Sequence, residues 1–330
     1  MRQLDKENTP VLQKIRYSFF KIMTGSDLSR RRLPFMQVKS SSPGPVLWLT
    51  ACGHGDEVGG MVIIQEIFKK IRKIPLLKGA LYAFPLMNPI GFETGSRNIT
   101  LSKEDLNRSF PGDKNGSLAQ RIADKIFRTI IDTDPELVLD LHNDWTKSIP
   151  YTVVDPFPGN EFEDVFEKVK CYAGKTGFLV VNETVILNES LSYSLIKAKI
   201  PALTIELGES YVVNEANVEF GVKSVLNIMT EMEMIQPQNL TFTHNSKNYP
   251  GIHNLLFSHK PVSSTSGIIR FLAKPGDIVK NGKPVARIYN SFGKLQETIT
   301  AIEDGIVLGY TDSSVAFPGA NIMAFAVPGD

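Results

Sequence analysis

Hydrophobic and polar positions fall into two regimes along the chain. Up to about residue 238, short apolar runs alternate with longer stretches in which apolar residues recur every three or four positions. The short runs lie at 46–51, 79–85, 137–142, 151–154, 177–181 and 202–206. They are rich in Val, Ile and Leu and mostly bounded by turn-forming residues, which predicts buried strands. The longer stretches at 58–70, 117–131, 161–175 and 215–234 predict amphipathic helices. Strands and helices in alternation build a twisted sheet covered by helices on both faces. Residues 1–35 are expected to form a helix and a loop, with Arg30-Arg31-Arg32 as a solvated turn.

After about residue 238 the helical period disappears. Short apolar strands alternate with Gly, Pro, Asn and Asp turns, an all-β pattern. It contains a faint repeat: Gly267 is followed by Gly282 fifteen residues on, and Gly305 by Gly319 fourteen residues on, each pair within a strand–turn–strand unit. The expected division is residues 1–240, with a core at 36–240, and a small β-domain at 241–330. The repeat resembles the barrel-sandwich fold of biotinyl and lipoyl carriers, and Lys294 lies near the turn that such carriers modify. Their flanking acidic and methionine signatures are absent, so a structural or lid role is expected.

Composition narrows the function classes. Apolar residues make up 42% and charged residues 22%, ordinary for a globular protein. A net charge of +1 gives no support for binding nucleic acid or a membrane surface. Two cysteines, Cys52 and Cys171, cannot form a disulfide framework and favour a reducing compartment. Apolar runs fall short of a membrane span, and residues 1–14 lack the apolar core of a signal peptide. A cytoplasmic protein is expected.

The candidate chemistry gathers at strand ends, which border the ligand crevice of open α/β sheets. His54 and Glu57 sit in Gly53-His54-Gly55-Asp56-Glu57, between a strand and a helix, where both can reach one cation. Zinc accepts this mixture of nitrogen and oxygen donors, and a catalytic zinc takes three protein ligands plus water. Of five histidines, His142 is the third candidate, because it too ends a strand; His244, His253 and His259 are expected to be surface or packing residues. Asp140, two residues before His142, shares its face and can orient it. Glu206, closing the apolar strand at 202–206, is the candidate general base, with Glu209 as competitor. Arg97 lies in one Gly/Pro-rich loop and Asn107-Arg108 in another. A guanidinium can fork onto a substrate carboxylate or stabilise an oxyanion.

Together, His54-x-x-Glu57, Asn88-Pro89, Arg97, Asp105-Leu106-Asn107-Arg108, Asp140-Leu141-His142 and Ile205-Glu206-Leu207-Gly208 occur in the order of a known family. The chain resembles the succinylglutamate desuccinylase/aspartoacylase family, a branch of the zinc carboxypeptidase-like hydrolases, over about residues 40–240, and its C-terminal part is similar to that family's small β-domain. The resemblance implies an α/β/α catalytic domain with a mixed twisted sheet, plus a barrel-sandwich-like β-domain. It implies one zinc on His54, Glu57 and His142, Glu206 as base and then acid, Arg97 polarising the scissile carbonyl, and Asn107 and Arg108 holding a substrate carboxylate. Tyr193 would match the tyrosine of a Tyr/Arg pair that selects acidic substrates in aspartoacylase, but residues 192–197 contain no Arg. The implied activity is removal of an acetyl- or succinyl-type group from an N-acyl amino acid by metal-activated water. A zinc carboxypeptidase acting on short peptides, or a non-catalytic binding protein on the same fold, are the alternatives. The expected partner is the small-molecule substrate, and a homo-oligomer is compatible with it.

Overall fold

A computed structural model describes residues 13–24, 28, 30–237, 241–248, 254–311 and 313–329. It opens with two antiparallel strands, β1 (Arg16–Thr24) and β2 (Arg30–Lys39), where the sequence predicts a helix and a loop. Tertiary packing decides this segment. Leu33, Phe35, Met36 and Val38 are buried in β2, and Phe20 meets Phe35 ring to ring at 5.2 Å. The triple arginine is strand rather than turn: Arg30 and Arg32 are exposed, and Arg31 pairs with Glu93 at 2.7 Å.

The next elements follow the predicted alternation: β3 (Val46–Ala51), α1 (Gly59–Ile71), β4 (Ala80–Phe84), α2 (Pro89–Glu93), α3 (Leu118–Ile131), β5 (Leu137–His142), β6 (Lys147–Ser148), β7 (Tyr151–Val154), α4 (Glu163–Lys175), β8 (Leu179–Asn182), α5 (Leu191–Lys197), β9 (Ala202–Glu206) and α6 (Glu215–Glu231). Strand order is β1-β2-β4-β3-β5-β9-β7-β8. The central strands β4, β3, β5 and β9 are parallel to one another. Parallel strands covered on both faces read as unbroken apolar runs, and all of β4 and β5 is buried. Helix α1 buries Ile63, Ile64, Ile67, Phe68 and Ile71 and exposes Lys69 and Lys70. It packs with α6, which also meets α4; α3 and α5 pack together on the other face.

The C-terminal strands are β10 (Leu255–Ser258), β11 (Gly267–Phe271), β12 (Ile278–Val279), β13 (Pro284–Tyr289), β14 (Leu295–Thr300), β15 (Gly305–Tyr310), β16 (Val315–Ala316) and β17 (Met323–Pro328). They form two layers. One layer, β10-β17-β15-β12, continues the main sheet, because β10 adds in parallel to β8. The other is a separate sheet, β14-β13-β11-β16. Val285, Ile288, Val307, Met323 and Phe325 fill the core of this sandwich. Strand β6 pairs with β15, tying a loop of the first half to the second. The turn containing Lys294 joins β13 to β14 and is exposed. His244 packs against the rings of Phe220 at 4.9 Å and Phe178 at 6.0 Å, whereas His253 lies outside the described residues. Cys52 is buried, Cys171 exposed, and both are free thiols. No described helix is long and apolar enough to cross a membrane.

Candidate active site

The site starts from the turn after β3. Gly55 Cα lies so close to α2 that a Cβ there would fall 2.1 Å from the Gly91 carbonyl carbon and 2.2 Å from the Phe92 nitrogen. The Gly55 N–H donates to the Ser96 carbonyl at 3.0 Å, and the Asn88 side chain caps α2 by accepting from the Gly91 N–H at 2.8 Å. Both obstructing atoms are backbone, so neither can rotate aside. Gly55→Ala is therefore expected to destabilise the fold by about 3 kcal/mol or more, read as a lowered urea midpoint.

This pinned turn places His54 and Glu57 opposite the end of β5. His54, Glu57 and His142 are all buried, and one ligand atom from each lies within 4.8 Å of the others. Glu57 bridges the two imidazoles: Oε1 is 2.6 Å from His54 Nδ1 and Oε2 is 2.7 Å from His142 Nδ1. Each outer nitrogen has its own carboxylate. His142 Nε2 meets Asp140 Oδ2 at 2.9 Å, as the two-residue strand spacing predicts, and the Thr50 hydroxyl donates to Asp140 Oδ1 at 2.7 Å. His54 Nε2 meets Asp105 Oδ1 at 3.1 Å, and Arg97 Nη2 holds the other Asp105 oxygen at 3.2 Å. Burial opposes charge on Glu57, yet the two imidazoles hold it well below the usual carboxylate range. Burial likewise opposes protonation of His142, but Asp140 and Glu57 raise it above its ordinary value. Three buried donors with outer carboxylates that orient both imidazoles form a set that could hold a divalent metal.

The other expected residues distribute unevenly. Glu206 at the end of β9 faces the same cavity; its Oε2 is buried and has no hydrogen-bond partner among the described residues. Burial, and next the nearby Asp144, push its carboxyl well above the usual range. Glu209, the competitor, is engaged elsewhere, by Asn214 at 2.7 Å and Lys147 at 3.4 Å, and does not line the cavity. Arg97 Nη1 stands 3.7 Å from Glu57. Asn107 has its Nδ2 3.5 Å from His142 Nε2 and its Oδ1 accepting from the Leu191 N–H at 2.9 Å. Arg108 donates to the Asn107 carbonyl at 2.7 Å and lines the cavity. Tyr193 does not reach the wall. It is buried within α5, whose helical turn presents Ser190 and Ser192 to the cavity instead.

The cavity has a volume of about 960 Å³ and extends from the imidazoles to β7, β8 and β10. That far wall escaped the sequence reading. It includes Asp155 just past β7, Glu183 just past β8, and His259, whose ring lies 4.7 Å from Phe257 and 5.7 Å from Trp145. No local motif marks these residues, since the wall forms only when β7 and β8 pair and β10 joins the sheet beside them. Asp155 is 7% exposed. Burial pushes its carboxyl up to about 6. The folded protein thus holds this proton more tightly than the unfolded chain, so stability falls as pH rises from about 4 to 6. Asp155→Asn removes that cost. It is expected to stabilise at pH 7 by roughly 2 kcal/mol, with little gain at pH 4, in parallel thermal melts.

Known proteins share this fold and part of this sequence. Over 132 residues the chain is 33% identical to the N-alpha-acetyl-L-2,4-diaminobutyric acid deacetylase of Halomonas elongata. That match spans 39% of this chain and 38% of the relative's length. The ectoine utilization protein EutE (DoeB) of Ruegeria pomeroyi, in its product-bound structure, superposes with a TM-score of 0.81 at 20% identity, covering 97% of this chain and 98% of that one. An aspartoacylase family protein of Mesorhizobium loti gives a TM-score of 0.80 at 19% identity over 96% of both chains. The shared fold therefore includes the C-terminal strands as well as the α/β part. Residues 43–232 match the model of the succinylglutamate desuccinylase/aspartoacylase catalytic domain, and the chain belongs to that family.

Proposed function

We propose that the chain is a zinc-dependent hydrolase that removes an acyl group from an N-acyl amino acid. The observation that carries this reading is the convergence, on one cavity, of the buried His54–Glu57–His142 set and Glu206, whose buried Oε2 has no hydrogen-bond partner among the described residues. Family membership and the name of the Halomonas relative support a deacylase.

Two imidazole nitrogens and a carboxylate oxygen suit zinc. When bound, zinc supplies Lewis acidity and lowers the pKa of water to about 7. The remaining roles belong to the chain's own groups. Glu206 takes a proton from the attacking water at Oε2 and returns it to the departing amine nitrogen, one group acting as base and then acid. Its raised carboxyl suits the second task, holding the proton until the amine takes it. Arg97 offers its guanidinium to the oxyanion that develops on the scissile carbonyl. Asn107 and Arg108 fix the substrate carboxylate at the cavity wall, a task suited to guanidinium geometry. Asp140 and Asp105 keep the imidazoles aimed inward. No substrate contact is assigned to Tyr193.

The test is amine release from a panel of acetylated and succinylated amino acids beside N-blocked dipeptides. Release from acyl-amino acids is the expected outcome. Cleavage of the dipeptides alone would replace this reading with a carboxypeptidase.

A further inference from the structure

The reaction above leaves an aromatic corner of the cavity unused, and both halves of the chain build it. Trp145, Tyr151, Phe257 and His259 all line the cavity. The Tyr151 and Phe257 rings lie 6.4 Å apart, and the His259 ring stands edge to face with Phe257 at 4.7 Å and with Trp145 at 5.7 Å. Trp145 comes from the loop after β5, whereas Phe257 lies in β10 and His259 directly follows it.

Trp145 is held there under strain. Its φ of 60° lies in the left-handed region, which a bulky residue keeps only when its surroundings fix it, and such outliers gather at ligand sites. The Ser210 N–H donates to the Trp145 carbonyl at 2.9 Å. Against the indole stands Gly309 of β15, at a break in the register with β17, and a Cβ there would fall 2.6 Å from Trp145 Cδ1. Glycine inside a strand marks such close approach. The C-terminal strands thus carry a notch for this indole.

Two ring nitrogens of the corner are unpartnered. Trp145 Nε1 and His259 Nδ1 are buried and have no hydrogen-bond partner among the described residues. Buried polar groups are normally paired, and an indole N–H can only donate, so what Trp145 lacks is an acceptor. The nearby charges disfavour an anion. Glu183 is the charged group acting on His259, and Asp144 adjoins Trp145 and lines the cavity, whereas Lys260 is exposed. Burial lowers the pKa of His259, which therefore adds no positive charge at neutral pH.

The acyl chain is the part of a substrate that reaches this corner. A trans amide is planar and sends its two substituents in opposite directions. Asn107 and Arg108, proposed to hold the amino-acid carboxylate, lie in the loop that meets α5 at Leu191, whereas the corner is built on β7, β10 and β15. The cavity, at about 960 Å³, is of the size that encloses drug-sized ligands, more than an acetyl group requires. We propose that Trp145 and His259 are specificity-determining residues for the acyl chain, and that the substrate class is amino acids bearing an uncharged acyl chain longer than acetyl with a further oxygen acceptor. The chain packs on the rings, and its oxygen accepts from Trp145 Nε1. This rests on reading the cavity as an acyl-amino-acid site.

The test compares acetyl, butyryl, 3-hydroxybutyryl, pentanoyl, 4-oxopentanoyl and succinyl groups on one amino acid, the best of the acetylated panel or alanine if none is turned over. Each oxygen-bearing chain has an oxygen-free partner of equal length, and succinyl sets a charge where 4-oxopentanoyl has none. Turnover is read on the zinc-loaded parent. Binding is read by tryptophan emission on the zinc-loaded Glu206→Gln chain. The other tryptophan, Trp48, is fully buried with its Nε1 bonded to Thr133, so a ligand-induced change reports Trp145. At least one oxygen-bearing chain should exceed its partner about tenfold in affinity and kcat/KM, exceed acetyl and succinyl too, and change the emission. Trp145→Phe keeps a ring beside Gly309 but loses the N–H, and should cut that advantage to about 2-fold or less at unchanged zinc content. A preference for acetyl or succinyl overturns the proposal, as does no gain from the oxygen, binding without a change in emission, or an advantage preserved in Trp145→Phe. If that variant does not fold, the ratios and emission of the chain with Trp145 intact decide. Selective binding without acyl release upholds the aromatic subsite and removes the hydrolase reading. Acyl release without this preference upholds the hydrolase and removes the subsite. Neither binding nor release overturns both.

Discussion

Glu206→Gln is expected to keep its metal and lose turnover by about 10³-fold, within the range that positioned proton transfer contributes. Glutamine matches the shape of glutamate but cannot accept a proton from water or return one to an amine. The position is well suited to this test. Glu206 Oε2 is buried with no partner among the described residues, so the substitution breaks no hydrogen bond at that atom. The raised carboxyl means that ionising Glu206 in the folded protein costs stability as pH rises above the ordinary carboxylate range. Removing that charge is therefore expected to leave the variant at least as stable as the parent at neutral pH. Steady-state kinetics on an acyl-amino acid, with metal analysis and a thermal melt on the same preparation, checks all three expectations. A variant within tenfold of the parent would remove Glu206 from the proton-transfer role.

His142→Ala is expected to purify with less than about a tenth of the parent's zinc and no measurable turnover. A catalytic zinc held by three protein ligands does not survive the loss of one at ordinary affinity. The consequence reaches further than one bond. His142 stands between two buried carboxylates, Glu57 at 2.7 Å and Asp140 at 2.9 Å. Deleting the imidazole leaves both with less compensation, and breaking a buried pair in this way typically costs about 3–5 kcal/mol. Asp140→Asn separates the two effects. It keeps the ligand but weakens its orientation, and should reduce zinc affinity by roughly 10–100-fold while leaving a zinc-saturable enzyme. Competition with a chromogenic chelator reads both variants. Full zinc occupancy in His142→Ala would refute the ligand role.

The convergence of His54, Glu57, His142 and Glu206 on one cavity was legible in the sequence because its signals are local. Central strands buried on both faces must be apolar throughout, so a polar residue closing such a run, such as His142 or Glu206, stands out against it. The His54–Glu57 turn is flagged by glycines, and Gly55 shows why: α2 leaves no room for a Cβ. What escaped depends on contacts distant in sequence. Asp105 reaches His54 across 51 residues, and nothing in its neighbourhood announces that partner. The first two strands were misread because their pairing, together with packing of Phe20 and Phe35, overrides a weak local pattern. Tyr193 was carried over from a resemblance, and the turn of α5 points Ser190 and Ser192 at the cavity in its place. The all-β character of the C-terminal part was legible, but not the continuation of the main sheet through β8 and β10, which brings Leu256, Phe257 and Ser258 to the cavity wall.

The measurement that bears most directly on the central claim is metal reconstitution of activity. The protein is stripped with a chelator, freed of it, and assayed for amine release from a turned-over Nα-acetyl amino acid as zinc is titrated back. Activity should vanish on stripping and return in proportion to zinc, saturating near one ion per chain. Undiminished release from the stripped protein would contradict the account.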